Sequence, residues 1–246
     1  MMRRKILTTT LLGALAAAVW LAAGGSSATA QSGDPLVEGF KKVAIASVAD
    51  AVDTVVGRPG FMNYDMRPVI PGRISGRAVT ARLEVGTSEA GNAVSHSVQM
   101  IDEANPGEIG VIVIEDGLNV AAIGGLMMTA AKARNMGGMV LDGGARDVPE
   151  IRRLGVPVYA RSITPATAVG RRVSVMKNEP VTCAGVRVSP GDILVGDEDG
   201  VVVVPKAHAK KVLEVSQEID DREGKMVPMI LELKSLTEAI KKFNRI

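Results

Sequence analysis

The chain has 246 residues, with 29 basic and 27 acidic side chains, two histidines and one cysteine. That length suits one domain with a sizeable core. A formal charge of +2 and an aromatic content of 2% argue against a nucleic-acid partner, which needs a basic footprint or stacking platforms.

Arg3, Arg4 and Lys5 precede an apolar run at 11–23 that is too short to span a bilayer comfortably. Ala28-Thr29-Ala30 then places small residues at −3 and −1 of a cleavage position. Residues 1–30 are therefore expected to be a secretory signal peptide, with Gln31 first in the mature chain. The protein is expected to be exported, periplasmic or secreted, with no stable membrane span once the signal is removed. Arg3-Arg4 leaves the Sec and twin-arginine routes both open. Removing the three cations takes the formal charge from +2 to −1. Cys183, alone and in the apolar setting Val181-Thr182-Cys183, reads as a buried inert thiol.

Residues 31–36 read as a tail. Residues 37–56 carry apolar side chains at helical spacing (Val37, Phe40, Val43, Val48, Ala51, Val52, Val55) and predict one amphipathic helix. Residues 57–71, punctuated by Gly57, Pro59, Gly60, Pro68 and Pro71, predict mostly loop. A strand is expected over 74–85, a loop over 86–91, a helix over 93–105 and a buried strand over 109–114. The pattern continues with a helix over 121–136, a strand over 138–141, a helix over 148–154 and a strand over 156–161. This alternation predicts a partly parallel sheet with right-handed crossovers. After Thr164 come short runs at 173–176, 180–183, 186–188, 193–196 and 201–204, separated by turn pairs such as Ala184-Gly185 and Pro190-Gly191. These predict an antiparallel half. A helical extension follows over 206–246, as one helix to 223 and a second over 227–243 after Gly224. The whole reads as a single α/β domain over 31–246 with a mixed sheet.

The chemistry is concentrated in 124–150. Gly124 and Gly125 open a helix, whose first turn offers bare N–H groups and a positive dipole end. The segment after the next strand supplies Asp142, Arg146, Asp147 and Glu150. Both ends lie near the strand ends where open α/β sheets place ligands. The competing reading is that Arg146, Asp147 and Glu150 merely cap the helix over 148–154 and form a surface pair. His96 and His208 sit apart and read as surface residues, so any metal site must use oxygen ligands. That favours Mg²⁺ or Mn²⁺.

Gly125, twenty intervening residues, Arg146-Asp147, two more residues and Glu150 resemble the G-x20-R-D-x2-E/D signature of the RraA-like family. That family includes the 4-hydroxy-4-methyl-2-oxoglutarate and 4-carboxy-4-hydroxy-2-oxoadipate aldolases and the regulator of ribonuclease E activity. Ser47-Val48-Ala49-Asp50-Ala51, Gly76-Arg77-Ala78-Val79-Thr80, Gly155-Val156-Pro157-Val158, Pro190-Gly191-Asp192 and the run from Gly196 to Pro205 are similar to family segments as well. The resemblance covers roughly residues 37–225. It implies a layered α/β sandwich with a swivelling, phosphohistidine-domain-like core, assembled as homotrimers or hexamers with sites at subunit interfaces. It further implies a divalent cation, Mg²⁺ or Mn²⁺, held by Asp147. Arg146 would lie at the oxo group of a small 2-oxo acid, with the substrate carboxylate cradled by Gly124, Gly125, Leu126 and Met127.

The implied activity is that of a metal-dependent (class II) pyruvate aldolase, an oxaloacetate decarboxylase, or both, since each reaction passes through the pyruvate enolate. Some family aldolases carry an acid at the position of Gly125. Asp142 or Glu150 could substitute here, as could an acid of a neighbouring subunit's C-terminal region such as Glu218 or Glu223. The alternative is a non-catalytic oligomeric binding or regulatory module. Export disfavours regulation of ribonuclease E, a cytoplasmic enzyme.

Overall fold

The computed structural model describes residues 33–88 and 90–243. The expected signal, residues 1–30, lies outside them. Within them no helix is long and apolar enough to cross a membrane. In chain order the elements are α1 (Pro35–Phe40), α2 (Ile45–Val56), β1 (Arg67–Ile70), β2 (Ile74–Val85), α3 (Ala90–Ala93), α4 (Ser95–Glu103) and β3 (Ile109–Ile114). A 3-10 turn (Gly117–Asn119) leads to β4 (Ala121–Ile123), α5 (Gly125–Ala133), β5 (Gly138–Ala145), α6 (Val148–Leu154) and β6 (Val158–Ile163). Then come β7 (Arg172–Lys177), β8 (Val181–Cys183), β9 (Val186–Val188), β10 (Ile193–Asp197), β11 (Gly200–Val204), α7 (Ala209–Leu233) and α8 (Leu236–Phe243).

The main sheet runs β1-β6-β5-β3-β2-β10-β11. Its centre is parallel: β2 with β3, β3 with β5, and β5 with β6. The flanks are antiparallel, as expected for the second half: β10 and β7 both pair with β2, and β11 pairs with β10. Arg67, at the start of β1, donates to the Asp199 carbonyl in the β10–β11 turn at 2.9 Å, and Phe61 bridges Val202 of β11. The two ends of the sheet thus approach one another and it nearly closes.

Side-chain alternation explains why its strands are apolar on both faces. In β11, Val201 and Val203 enter the interior core with Ile109, Val111 and Tyr159. Val202 and Val204 enter the outer core, with Phe40, Val48 and Val212 of α1, α2 and α7. In β3, Ile112 and Ile114 point instead to a third core under α4, α5 and α6, with Met100, Met128 and Ile151.

Five expectations need correction. The helix expected over 37–56 is two helices. The Arg73 guanidinium donates to the Phe40 and Val43 carbonyls, and the Ala44 N–H goes to Asp220 of α7, so the chain turns while the apolar stripe stays buried. The loop expected over 57–71 ends in β1, whose Pro68 sits at the sheet edge, where a missing N–H is tolerated. Residues 121–123, assigned to a helix, form β4. The strand after it runs on to Ala145, so Asp142 lies within β5 rather than in a loop. The C-terminal helix does not break at Gly224. It passes Gly224 and Pro228 and ends at Lys234, at φ 52°.

Candidate active site

Local pairing builds the site. β4 lies parallel to β5, with Ala121 opposite Gly144 and Ile123 opposite Ala145, and the Arg146 N–H continues the ladder to the Ile123 carbonyl at 3.1 Å. Two chain segments therefore leave the sheet side by side. One enters α5 through Gly124 and Gly125. The other enters α6 through Arg146 and Asp147. The sequence placed both at strand ends; the short strand β4, hidden in an apolar run, is what makes them neighbours.

The glycines are there for space rather than for backbone freedom. Gly124 is extended, and Gly125 lies outside the left-handed region. A Cβ on Gly124 would lie 2.7 Å from Asp147 Oδ2 and 3.0 Å from Arg146 Nε. A Cβ on Gly125 would lie 2.6 Å from both Cδ and Oε2 of Glu150. The Glu150 carboxylate thus occupies the room that a side chain at 125 would fill. Arg146, Asp147 and Glu150 all lie against the same glycine pair.

Asp147 is the N-cap residue of α6, yet its side chain does not cap α6. Its backbone is left-handed at φ 58°, ψ 33°, a conformation that costs energy and gathers at functional sites. In this conformation Oδ2 accepts the Gly125 N–H at 2.9 Å, across the gap to α5. Asp147 is therefore more than a cap for its own helix. Arg146 Nε lies 3.9 Å from Asp147 Oδ2, and both side chains are about two-fifths exposed. With the Gly125 N–H taken, Leu126 and Met127 supply the first-turn amides that a helix start leaves without an intrahelical partner.

A cleft of about 260 Å³ opens over these groups. Gly124, Gly125, Leu126, Met127, Arg146 and Asp147 form one part of its wall; Val94, residues 121–123 and Thr167, Ala168 and Val169 form the rest. Val94 and 167–169 carried no signal in the sequence, because only the fold brings these distant segments here. Hollows of about 430 and 510 Å³ lie elsewhere, at the β10–β11 turn and beneath Phe61 and Tyr64. This smaller cleft is the one lined by Gly125, Arg146 and Asp147, with Glu150 against Gly125 but not in its wall.

The remaining acids go elsewhere. Asp142 binds Arg161 Nη1 at 2.8 Å and the Ala184 N–H at 2.6 Å, fastening the β8–β9 turn to β5. Arg161 also holds Asp65, and these bonds to Asp65 and Asp142 raise its pKa above the ordinary value. Asp142 is a structural anchor and is not gathered with the glycine pair. Glu218 and Glu223 belong to α7, which packs chiefly on α2 and α8. Cys183 is buried as expected, and burial, aided by the Asp142 charge, pushes its thiol pKa well up.

The donor chemistry fits a hard divalent cation. Asp147 and Glu150 each present an exposed carboxylate against the glycine pair, and Mg²⁺ commonly takes one or two carboxylates with water and substrate oxygens. Among the described residues, no three His, Cys, Asp or Glu side chains gather as a closed metal cage.

Comparison with known proteins identifies the family. The family model described as RraA-like, Aldolase/RraA, matches residues 45–203. A protein of Halalkalibacterium halodurans named "Putative 4-hydroxy-4-methyl-2-oxoglutarate aldolase" is 28% identical over 176 residues, covering 71% of this chain and 79% of that one. The crystal structure of an uncharacterized Pseudomonas syringae protein superposes with a TM-score of 0.76 at 24% identity, covering 84% of this chain and 93% of that one. Streptomyces coelicolor RraAS2, titled an unusual member of the RNase ES inhibitor RraA protein family, superposes at 0.67 and 24% identity, over 77% and 93% of the two chains. The family match spans more than half of the sequence and the fold is shared, and the chain belongs to the RraA-like family.

Proposed function

We propose that the protein is a divalent-metal-dependent lyase acting on a 2-oxo acid. It would release pyruvate by retro-aldol cleavage of substrates of the 4-hydroxy-4-methyl-2-oxoglutarate type, decarboxylate oxaloacetate, or do both. The observation that carries the reading is the Glu150 carboxylate standing in the space above Gly125. The acid lacking at position 125 is supplied from α6, next to Arg146 and Asp147.

In this reading the Leu126 and Met127 amides and the α5 dipole receive the substrate carboxylate. Gly124 and Gly125 leave room beside it for the Asp147 and Glu150 carboxylates. Arg146 faces the oxo group and stabilises the negative charge that develops there. Asp147 would hold Mg²⁺ or Mn²⁺, which when bound supplies further polarisation of the oxo group. Glu150, directly or through a water, accepts the proton of the C4 hydroxyl. The C3–C4 bond then breaks, its electron pair enters the pyruvate enolate, and C3 is protonated to give pyruvate. Decarboxylation yields the same enolate with CO₂ as the leaving group. The Gly125 N–H holds Asp147 in its left-handed conformation, so the amide scaffold and the metal carboxylate are set by one contact.

We further propose a homotrimer or hexamer and export directed by residues 1–30; light scattering and N-terminal sequencing of the mature protein test these. The catalytic reading is tested by pyruvate release from 4-hydroxy-4-methyl-2-oxoglutarate and from oxaloacetate, with Mg²⁺, with Mn²⁺ and with chelator. Metal-dependent release that Arg146→Ala abolishes supports it. Absence of release from both substrates in the assembled protein would replace it with a non-catalytic binding module.

A further inference from the structure

The C-terminal helices form an arm that leaves the body of the domain. The Asp220 carboxylate of α7 accepts the Ala44 N–H, just before α2, at 2.9 Å. Beyond that bond α7 continues to Leu233, about 20 Å further. α8 packs on α7, and Met226 and Ala239 are buried there. The arm lies outside the matched family region, which ends at residue 203.

Much of its outer surface is apolar. Val227, Leu231, Leu233 and Leu236 are each about half exposed or more. Leu236, Ile240 and Phe243 follow at the spacing that puts them on one face of α8. Ile240 and Phe243 are partly exposed. Lys234, Lys241 and Lys242 accompany them in the sequence against a single acid, Glu238. Lys242 Nζ lies 5.6 Å from the Phe243 ring centre, so one cation sits at the face itself.

A second apolar surface lies elsewhere on the chain. The hollow of about 510 Å³ is walled by Ile45 and Ala49 of α2 and by Phe61, Tyr64 and Val202. Phe61 is 53% and Tyr64 85% exposed. Among the described residues, its wall contains none from α7 or α8. Asp199 lies in the wall with Glu198 beside it, and both are exposed. Arg67, the cation in the wall, gives its donors to the carbonyls of Tyr64, Glu198 and Asp199. An apolar face flanked by lysines and an apolar hollow edged by acids complement one another, and exposed apolar surface of this kind marks a binding face.

We infer that α8 of one copy seats Leu236, Ile240 and Phe243 in the Phe61–Tyr64 hollow of a second copy, with Lys241 and Lys242 at the Glu198–Asp199 turn. The two surfaces are different patches of one chain, so the contact is head-to-tail and closes copies into a ring. The hollow shares no lining residue with the cleft over Arg146, so this contact is separate from the candidate active site.

Crosslinking tests the contact in the full chain. Tyr64→Cys and Leu236→Cys change exposed side chains, and the native Cys183 thiol is buried. A short bis-maleimide should join the double variant into covalent dimers and higher multiples, and leave each single variant unlinked. Linkage of Leu236→Cys alone, which means that two arms pair with each other, overturns the inference. So does linkage of Tyr64→Cys alone, linkage only within one chain, or no linkage. Light scattering over a dilution series then reads the strength of the contact. Phe61→Asp and Leu236→Asp should each raise the dissociation constant of the assembly at least about tenfold, with the far-UV circular dichroism of the wild type retained. Asp199→Lys and Lys242→Glu should each weaken assembly, and their combination should restore it to within about threefold of wild type. Wild-type assembly in both Asp variants, or no recovery in the double reversal, overturns the pairing. Neither readout uses substrate, so the lyase reading stands or fails separately.

Discussion

Replacing Gly125 by alanine separates the catalytic reading from a structural one. A Cβ at this position would lie 2.6 Å from Glu150 Cδ, whereas carbon–carbon contacts are comfortable near 3.5–4.0 Å. Glu150 is exposed and its carboxylate is the free end of a flexible side chain, so it yields by about 1 Å rather than straining the backbone. Gly125 lies outside the left-handed region. Alanine should therefore fit the first turn of α5 and add up to about 0.4–1 kcal/mol of stability by restricting the unfolded chain. Catalysis should respond in the opposite direction. A misplacement of about 1 Å of a working group is enough to cost about 10²-fold, or about 2.7 kcal/mol in transition-state stabilisation. Coupled assays of pyruvate release and a thermal melt read the two effects separately. Gly125→Asp combined with Glu150→Ala returns a carboxylate to nearly the same place from the other chain segment, and should recover activity to within about tenfold of the parent. Wild-type kcat/KM in Gly125→Ala with an unchanged melting temperature would refute the role given to Glu150. A sharp loss of stability would refute the claim that Glu150 yields.

Other outcomes follow from the same geometry. Asp147→Asn retains an acceptor for the Gly125 N–H but loses the charge, so Tm should stay within a few degrees while metal-dependent pyruvate release falls about 10²–10³-fold; excess Mg²⁺ should restore chelator-treated wild type but not the variant. Asp142→Asn should leave the chemistry intact but lower unfolding free energy by about 1.5–3 kcal/mol in urea titrations, because Arg161 and the Ala184 N–H lose a partly buried anionic partner. Burial raises the Asp34 carboxyl pKa, but the hydrogen bond and charge of Arg77 and the Leu36 N–H outweigh it and hold the group below its usual value. The stability it contributes is therefore present above about pH 4 and is lost as pH falls through the depressed folded value. The Tm difference between wild type and Asp34→Asn should accordingly be largest near neutrality and shrink toward pH 3.

Much of the fold was legible because its signals are local. The strands over 74–85 and 109–114 and the helix over 148–154 were bounded correctly, since burial on both faces or helical periodicity leaves a plain pattern in a short window. The misreadings have non-local causes. The turn after Phe40 is stabilised by Arg73 and Asp220, thirty or more positions away. β4 is three residues long and is a strand only because β5 lies beside it. The α7 helix continues through Gly224, which local breaker signals treat as a stop, with buried residues on either side at Ile219 and Met226.

The candidate site divides in the same way. Its residue types and spacing, from Gly125 through Arg146 and Asp147 to Glu150, can be read from the chain, because backbone approach, charge and helix starts are properties of residues in order. Their mutual roles cannot. That Asp147 serves α5 rather than α6, that Glu150 fills the space over Gly125 and that Asp142 belongs to a distant ion pair depend on β4 setting two strand exits side by side. The sequence by itself determined which groups were available and which chemistry they could support. Only the tertiary structure decided which of those groups meet and which walls they face, because that contact is made by segments whose separation along the chain leaves no local pattern.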